Sequence, residues 1–149
     1  MAQHQSHVQQ LLASGEWEAA LQQWVQAFPL KVVGIQLAAF MREAMPAAGS
    51  ALLEAIERGF QQPDDGVRWQ VFEQAKKVGF STPVGALGLS LFWAYGSMTP
   101  AEQEPVYPDP ALSPRLMYCA LVMLAVQLVE DPVEGATLLF SRCSAGEGA

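Results

Sequence analysis

The chain is poor in the side chains on which most enzymes and metal sites depend. Its 149 residues include only two histidines and two cysteines. Both histidines, His4 and His7, lie in a Gln-rich N-terminal segment. A Ser-His-Asp or Cys-His catalytic site in this chain would therefore have to use one of these two residues as its base. Their i, i+3 spacing could place them on one helix face, but no cysteine or carboxylate stands beside them to complete a metal site. We therefore expect no catalytic residues, no metal and no cofactor.

Basic residues are also scarce. Eight Lys and Arg against fifteen Asp and Glu give a formal net charge of −7. Proteins that bind nucleic acid carry clustered Lys and Arg that neutralise phosphates, so we expect no nucleic acid among the partners. Acids outnumber bases most clearly from Ala101 to the C-terminus, which favours a protein partner with a basic surface, although solubility alone also explains the excess.

The chain lacks a long hydrophobic segment and a disulfide framework. Its longest apolar run, Leu116 to Val129, is about 14 residues, whereas a membrane-spanning helix needs about 20. The N-terminus has no basic segment followed by an apolar one, so we expect no signal peptide, no membrane insertion and a cytoplasmic location. Two cysteines exclude a disulfide scaffold. Cys119 lies in an apolar helical run and is expected to be buried, while a single bond to Cys143 remains open.

What the chain does have is helical periodicity along nearly its whole length. No apolar–polar alternation of the kind found in strands stands out. Three pairs, Thr82-Pro83, Ser113-Pro114 and Asp131-Pro132, each place a capping residue before a proline and predict helix starts. We expect one all-α domain over residues 1–149, a compact bundle of about seven or eight helices with helical hairpins in its N-terminal half. A frayed tail is expected at 144–149.

Two segments are apolar on almost every face, Pro83 to Tyr95 and Arg115 to Val129. Helices of this kind belong at the centre of a bundle. The small residues Gly85, Gly88 and Ser90 would let a neighbouring helix approach the first of them closely.

The aromatic residues are also expected mainly in the core. The helix predicted over Asp65 to Val78 should direct Trp69, Phe72 and Val78 inward. All four tryptophans occur at helical spacing with aliphatic neighbours, which is typical of core residues: Trp17, Trp24, Trp69 and Trp93.

The paired carboxylates and the glycine-rich segment do not indicate a metal site or a phosphate-binding loop. Glu54 and Glu57, and likewise Asp131 and Glu134, are spaced i, i+3, but no Glu-x-x-His motif accompanies them as it does in carboxylate-bridged metal bundles. Capping and solvation explain these acids. The GALG segment at 85–88 lies inside an apolar helix and lacks the preceding strand of a phosphate-binding loop.

A proline-rich extended loop predicted at residues 96–113 joins the two apolar helices. It holds four of the ten prolines, and each restricts its own backbone and that of the residue before it: Pro100, Pro105, Pro108 and Pro110. So long and stiff a loop in a compact domain usually has a function. The residues predicted to bind a partner are Tyr95, Met98, Glu102, Glu104, Tyr107 and Asp109. Tyr107 either fills a groove on its own domain, the favoured alternative, or is an exposed anchor.

Two stretches carry a family resemblance, residues 14–44 (SGEWEAALQQWVQAFPLKVVGIQLAAFMREA) and Phe80 to Val126. The second combines a helix opened by Thr-Pro, an FW-x-x-Gly-Ser turn, the proline-rich loop and a second apolar helix. These stretches resemble an uncharacterised bacterial family of small all-helical proteins encoded near type VI secretion genes. The resemblance implies an accessory role in toxin delivery and supplies no catalytic residues. The chain departs from the family at residues 32–35, where Trp pairs are usual, and at Tyr95-Gly96.

Three hypotheses for function follow. The leading one is a non-catalytic adaptor or chaperone-like accessory of bacterial type VI secretion or effector loading, which binds a secretion component or effector through the proline-rich loop. The alternative is an immunity protein that neutralises a cognate toxin by direct binding. An enzyme whose residues are scattered along the chain is the third, and it would require a deep polar pocket. The sequence does not indicate an oligomeric state.

Overall fold

The helical prediction is confirmed by a computed structural model that describes residues 2–44, 50–99 and 102–143. These ranges form eight α-helices and no strand. The helices are α1 (Ala2–Ala13), α2 (Trp17–Ala27), α3 (Leu30–Ala44), α4 (Ser50–Gln61), α5 (Asp65–Val78), α6 (Pro83–Ala94), α7 (Leu112–Leu128) and α8 (Pro132–Cys143). The predicted tail at 144–149 lies outside the described residues.

Helix α6 is the centre of the bundle, as its composition predicts. Every residue from Pro83 to Phe92 is buried. Helices α5 and α7 pack along it, α4 contacts it at one side, and α7 continues the bundle to α2 and α8. Consecutive helices in the N-terminal half pack as hairpins, α1 with α2 and α3 with α4. The proline-rich segment that follows α6 is therefore anchored to the most buried element of the fold.

Small residues on α6 allow this close packing. The backbone at Gly88 lies against α5, where an added Cβ would come within 2.9 Å of Ala75 Cβ and 3.2 Å of Val71 Cγ1. At Gly85 an added Cβ would lie 1.9 Å from the Gly79 carbonyl oxygen. The predicted close approach of a neighbouring helix is thus confirmed at Gly88, whereas Gly85 is approached by the turn between α5 and α6.

Two of the three predicted helix caps are confirmed. Thr82 Oγ1 accepts a hydrogen bond from Gly85 N at 3.1 Å, and Asp131 Oδ1 accepts one from Val133 N at 3.0 Å. These bonds satisfy amide groups that have no partner within the first helical turn. Both helices begin at the proline that follows, Pro83 and Pro132.

The third cap is wrong, because Ser113 lies inside α7 and not before it. The helix begins at Leu112, and its N-cap residue, Ala111, has no side-chain cap. Asp109 replaces Ser113 at this end: its Oδ1 accepts from Ala111 N at 2.9 Å, and its carbonyl accepts from Leu112 N at 3.0 Å. Ser113 is instead buried against α6, where its hydroxyl donates to the Ser90 carbonyl at 2.6 Å.

Only one face of helix α7 is buried in the centre of the bundle. It buries a stripe of residues against its neighbours, namely Met117, Ala120, Leu121, Leu124 and Ala125. Cys119 lies on the opposite face and is exposed, so the prediction that it is buried is wrong. Cys143 on α8 is buried, and both thiols are free. The apolar composition of α7 is therefore not fully explained by the core.

Two further predictions about inward-facing residues need correction. Val78 is the last residue of α5 and is exposed, because the chain reverses at Gly79 with φ 97°. Among the tryptophans only Trp24 is fully buried, with its ring 5.1 Å from that of Phe140, while the other three are half-buried.

No single helix in the described ranges is long and apolar enough to cross a bilayer. Helices α7 and α8 together have the required length and composition, but the chain bends by 117° between them.

Candidate interaction surface

The segment that joins α6 to α7, residues 95–111, is called the crossing below, and its start is held by a buried arginine. Arg68 on α5 is only 2% exposed. Its Nη2 donates to the carbonyls of Phe92 and Ser97, each at 2.8 Å, and its Nε donates to the same Phe92 carbonyl at 3.1 Å. The guanidinium thus occupies the negative end of α6, where a cation is favourable, and holds the first residues of the crossing.

The remaining faces of the Arg68 guanidinium are also in contact with protein. Nη1 pairs with Asp65 Oδ1 at 2.5 Å, one turn earlier on α5. The guanidinium carbon lies 4.4 Å from the centre of the Phe92 ring, a cation–π contact. A Cβ at Gly96 would come within 2.7 Å of Nη1, so glycine leaves the room that the guanidinium needs.

Arg68 was not predicted from the sequence to have a role. It shares the buried face of α5 with Val71 and Ala75, a face on which helical spacing favours apolar side chains. The signal that could have identified it is this position, since a charged residue in an inward-facing stripe must find polar partners. The sequence does not show that those partners are carbonyls 24 and 29 residues later.

Two hydroxyls organise the interior of the crossing. Ser97 Oγ accepts from Thr99 N at 3.0 Å and from Val106 N at 2.9 Å. Thr99 Oγ1 donates to the Glu104 carbonyl at 2.8 Å, and Met98 N donates to the Val106 carbonyl at 2.7 Å. The crossing is therefore folded back on itself, with residues 97–99 bonded to residues 104–106.

This segment presents large apolar side chains to solvent. Three of the six large hydrophobic residues that are exposed in the described ranges lie on it: Met98, Val106 and Tyr107. Tyr107 is 69% exposed. The favoured prediction, that its side chain fills a groove on its own domain, is therefore wrong. Val106, beside it, is 49% exposed.

The other residues predicted to bind a partner divide into two groups. Glu102 and Glu104 are exposed on the crossing together with Met98 and Tyr107. Asp109 is exposed too, but its carboxylate already accepts the Ala111 amide at the start of α7. Tyr95 is turned inward, with its ring 6.1 Å from that of Phe60, and burial raises its pKa above the usual 10.0.

A groove follows the exposed face of α7, and it starts where the crossing ends. One part, about 560 Å³, lies between α2 and α7 and is lined by Val25, Ala111 and Arg115 among others. A second part, about 440 Å³, is lined by Glu18, Phe80 and Val122 among others. Both parts are lined by Tyr118 and Cys119, where they meet. We call the two parts together the α7 groove.

Tyr118 reports the environment of this groove. Its pKa is raised above 10.0, first by burial and then by the nearby charges of Glu18 and Cys119. The Glu18 carboxylate therefore acts on the middle of the groove from the α2 side.

With this geometry in view, the chain can be compared with known proteins. Residues 7–142, most of the chain, match the family described as Family of unknown function (DUF6931). The chain belongs to DUF6931. Comparisons with curated proteins and with solved structures gave no match.

Three of the four carboxylates in the acidic pairs of this DUF6931 protein, those of Glu54, Glu57 and Asp131, have structural partners. Glu57 pairs with Arg42 at 2.6 Å, whereas Glu54 lies 3.9 Å from Arg58, so the two carboxylates are directed to different arginines. Asp131 caps α8. Within the part of the chain that the structure describes, no group of three His, Cys, Asp or Glu side chains could hold a metal ion.

Proposed function

We propose that this DUF6931 protein is a non-catalytic protein-binding protein and that the crossing is its docking surface. One observation carries the proposal: three large apolar side chains are exposed together on a segment whose backbone is held by side-chain hydrogen bonds. The other exposed large hydrophobic residues in the described ranges lie on three different helices, Val78 on α5, Val126 on α7 and Leu138 on α8.

The rigidity of the crossing favours binding. A loop that is already ordered loses little conformational entropy when a partner docks. Ser97, Thr99 and Arg68 hold residues 97–99 and 104–106 before any partner arrives. An exposed tyrosine on such a support is the type of residue that contributes most at protein interfaces.

Charge indicates what the partner surface carries. Glu102 and Glu104 are exposed on the same segment as Tyr107, and the whole chain has a net charge of −7. Acidic residues at the rim of an interface accelerate encounter with a basic surface. The partner in this proposal is a protein with a basic patch around an apolar pocket that accepts Tyr107.

The biological setting comes from the sequence resemblance alone. On that basis the protein acts in the bacterial cytoplasm as an adaptor or chaperone-like accessory of type VI secretion or effector loading. A second candidate is an immunity protein, which the exposed acids Glu102 and Glu104 favour because a toxin with a basic cleft would complement them. Deletion of the gene separates the two: sensitivity to sibling cells indicates immunity, and loss of effector export indicates the adaptor.

The docking surface is tested by affinity purification from the source organism with matched variants. Val106 and Val126 are both 49% exposed, but only Val106 lies on the crossing. We expect Val106→Ser and Tyr107→Ala to lose the proteins that wild type retains, and Val126→Ser to keep them. Glu104→Lys should weaken retention of the same proteins and make it less dependent on salt.

Asp109 is left out of this test because its replacement would disturb the start of α7. Equal retention by wild type, Val106→Ser and Tyr107→Ala would contradict the assignment of the crossing. Thermal melts of each variant exclude misfolding as the cause of any loss.

A further inference from the structure

We infer that the α7 groove is a second binding site and that it accepts an amphipathic helix of a protein partner. The groove is distinct from the exposed group on the crossing, and the inference does not depend on the function proposed for that segment. Four observations bear on the occupant: the composition of the lining, the secondary structure of the walls, the length of the groove and two charges.

The lining of the α7 groove is mostly apolar. Helix α7 contributes Leu116, Val122 and Met123, and the turn before α6 contributes Phe80. The three α7 side chains are half-buried: they pack against the core on one side, and their remaining surface lines the groove. An apolar face of this kind on a helix is suited to a further element that covers it.

The walls favour a helix over an extended strand. The groove is bounded mainly by α2 and α7, in which the backbone groups are bonded within each helix. An extended segment would find few free backbone partners there and would leave its own amides and carbonyls unpaired. A helix satisfies its own backbone and presents only side chains. The lining runs along α7 from Ala111 to Met123, about 18 Å, which corresponds to about three turns of an incoming helix.

Two opposite charges give the incoming helix a direction. Arg115 lines the part of the groove near the start of α7, and Glu18 lines the other part. Neither residue forms an ion pair with another described residue. A helix has a positive N-terminal end and a negative C-terminal end. It therefore docks with a basic first turn at Glu18 and an acidic last turn at Arg115, which makes it antiparallel to α7.

The reactivity of the Cys119 thiol should show whether a ligand occupies the α7 groove. Its thiol is exposed where the two parts of the groove meet, whereas Cys143 is buried and its pKa is raised to about 12. One thiol per folded chain should thus react quickly with Ellman's reagent, and a ligand in the groove should slow that reaction.

The test uses three stapled synthetic helices of about 14 residues. The first has leucines at i, i+3, i+4 and i+7, lysines in its first turn and glutamates in its last. The second has the same leucines with the charges exchanged, and the third has the leucines scattered around the helix. We expect the first peptide to protect Cys119 at about tenfold lower concentration than the second, because two surface ion pairs replace two repulsive contacts. The third should give no protection.

A charge exchange on the protein completes the experiment. In the double variant Glu18→Lys/Arg115→Glu the preference should invert, so that the second peptide protects at the lower concentration. Tyr107→Ala serves as a control that leaves protection unchanged, which separates this site from the crossing.

Several outcomes would overturn the inference. They are a failure of all three peptides to slow the thiol reaction, an order of preference that the double variant does not change, and equal protection by the peptide with scattered leucines. Protection that rises with protein concentration alone would show that a second copy occupies the groove. Equal protection by decanoate would show a site for an acyl chain.

Discussion

Ser90 and Ser113 bind each other across the interface between α6 and α7, with both side chains buried. Ser113 Oγ donates to the Ser90 carbonyl at 2.6 Å, and Ser90 Oγ lies 2.8 Å from the Ser113 carbonyl and 3.0 Å from its hydroxyl. This reciprocal contact fixes how the end of the crossing enters α7, because Ser113 is the second residue of that helix.

Loss of either hydroxyl should destabilise the protein. Ser90→Ala and Ser113→Ala each remove one buried hydrogen bond to a backbone carbonyl, together with the contact between the two hydroxyls, at a cost of about 0.5 to 1.5 kcal/mol in the free energy of unfolding. The double variant should lose less than the sum of the two, since both substitutions remove one shared interaction. Urea denaturation measures all three, with Ser141→Ala on the exposed side of α8 as the control. Additive losses would show that the two serines act separately.

Replacing Arg68 should loosen the crossing. Arg68→Met removes the donors to the Phe92 and Ser97 carbonyls, and each hydrogen bond from a charged group contributes about 1.5 to 3 kcal/mol. We expect the amides of Met98 and Val106 to exchange hydrogen for deuterium faster than in wild type. Arg58→Met is the matched control, because Arg58 is exposed and its contact with Glu54 at 3.9 Å contributes little. Unchanged exchange at residues 98 and 106 would contradict the role of Arg68.

Methyl groups at two glycines should have opposite effects. Gly85→Ala drives a Cβ into the Gly79 carbonyl and should destabilise the fold by about 3 kcal/mol or more. Gly66→Ala meets only Asp64 oxygens at 3.9 Å, so it should stabilise α5 by about 0.5 to 1 kcal/mol. Thermal or urea unfolding checks both. A Gly85→Ala protein as stable as wild type would rule out the close contact.

Stability should fall in alkaline solution because of Cys143. Burial raises the pKa of this thiol from 9.0 to about 12, against a smaller opposing effect of Arg142. Above pH 9 the unfolded chain loses the proton while the folded chain keeps it. The free energy of unfolding should therefore be unaffected below pH 9 and decrease by about 1.4 kcal/mol per pH unit from 9 towards 12.

Cys143→Ala isolates this contribution from that of the tyrosines. Burial also raises the pKa of Tyr95 and Tyr118, which adds a decrease of the same sign above pH 10. The difference between wild type and Cys143→Ala should shrink as the pH rises from 9. Parallel curves for wild type and Cys143→Ala would contradict the prediction.

Local patterns were sufficient to predict most of the fold. Helical periodicity, and capping residues such as Thr82 and Asp131, act over a few residues and are visible in the sequence. The wrong predictions concern side chains whose position is set by a contact with residues far away in the sequence. Ser113 has the chemistry of a cap, but the Ser90 carbonyl, 23 residues away, accepts its hydroxyl proton. Cys119 lies in an apolar run, yet α7 is covered on one face only.

The candidate interaction surface was predicted in part. Proline content indicated the stiff segment after α6, and Tyr107 was identified within it. Its exposure depends on how the segment folds back, and that is set by Ser97 and Thr99 through bonds to residues 104–106. Arg68 could not be assigned because its partners are backbone carbonyls, which carry no residue-specific signal. The α7 groove required the relative positions of α2, α7 and Phe80, which only tertiary packing supplies.

The Arg68 hydrogen bonds make the shape of the crossing depend on a residue of α5. In a genetic screen for loss of partner binding, substitutions at Arg68 would score beside those at Tyr107, although the buried Arg68 side chain would not touch the partner. Suppressors of such alleles are to be sought on α5 and not on the partner protein.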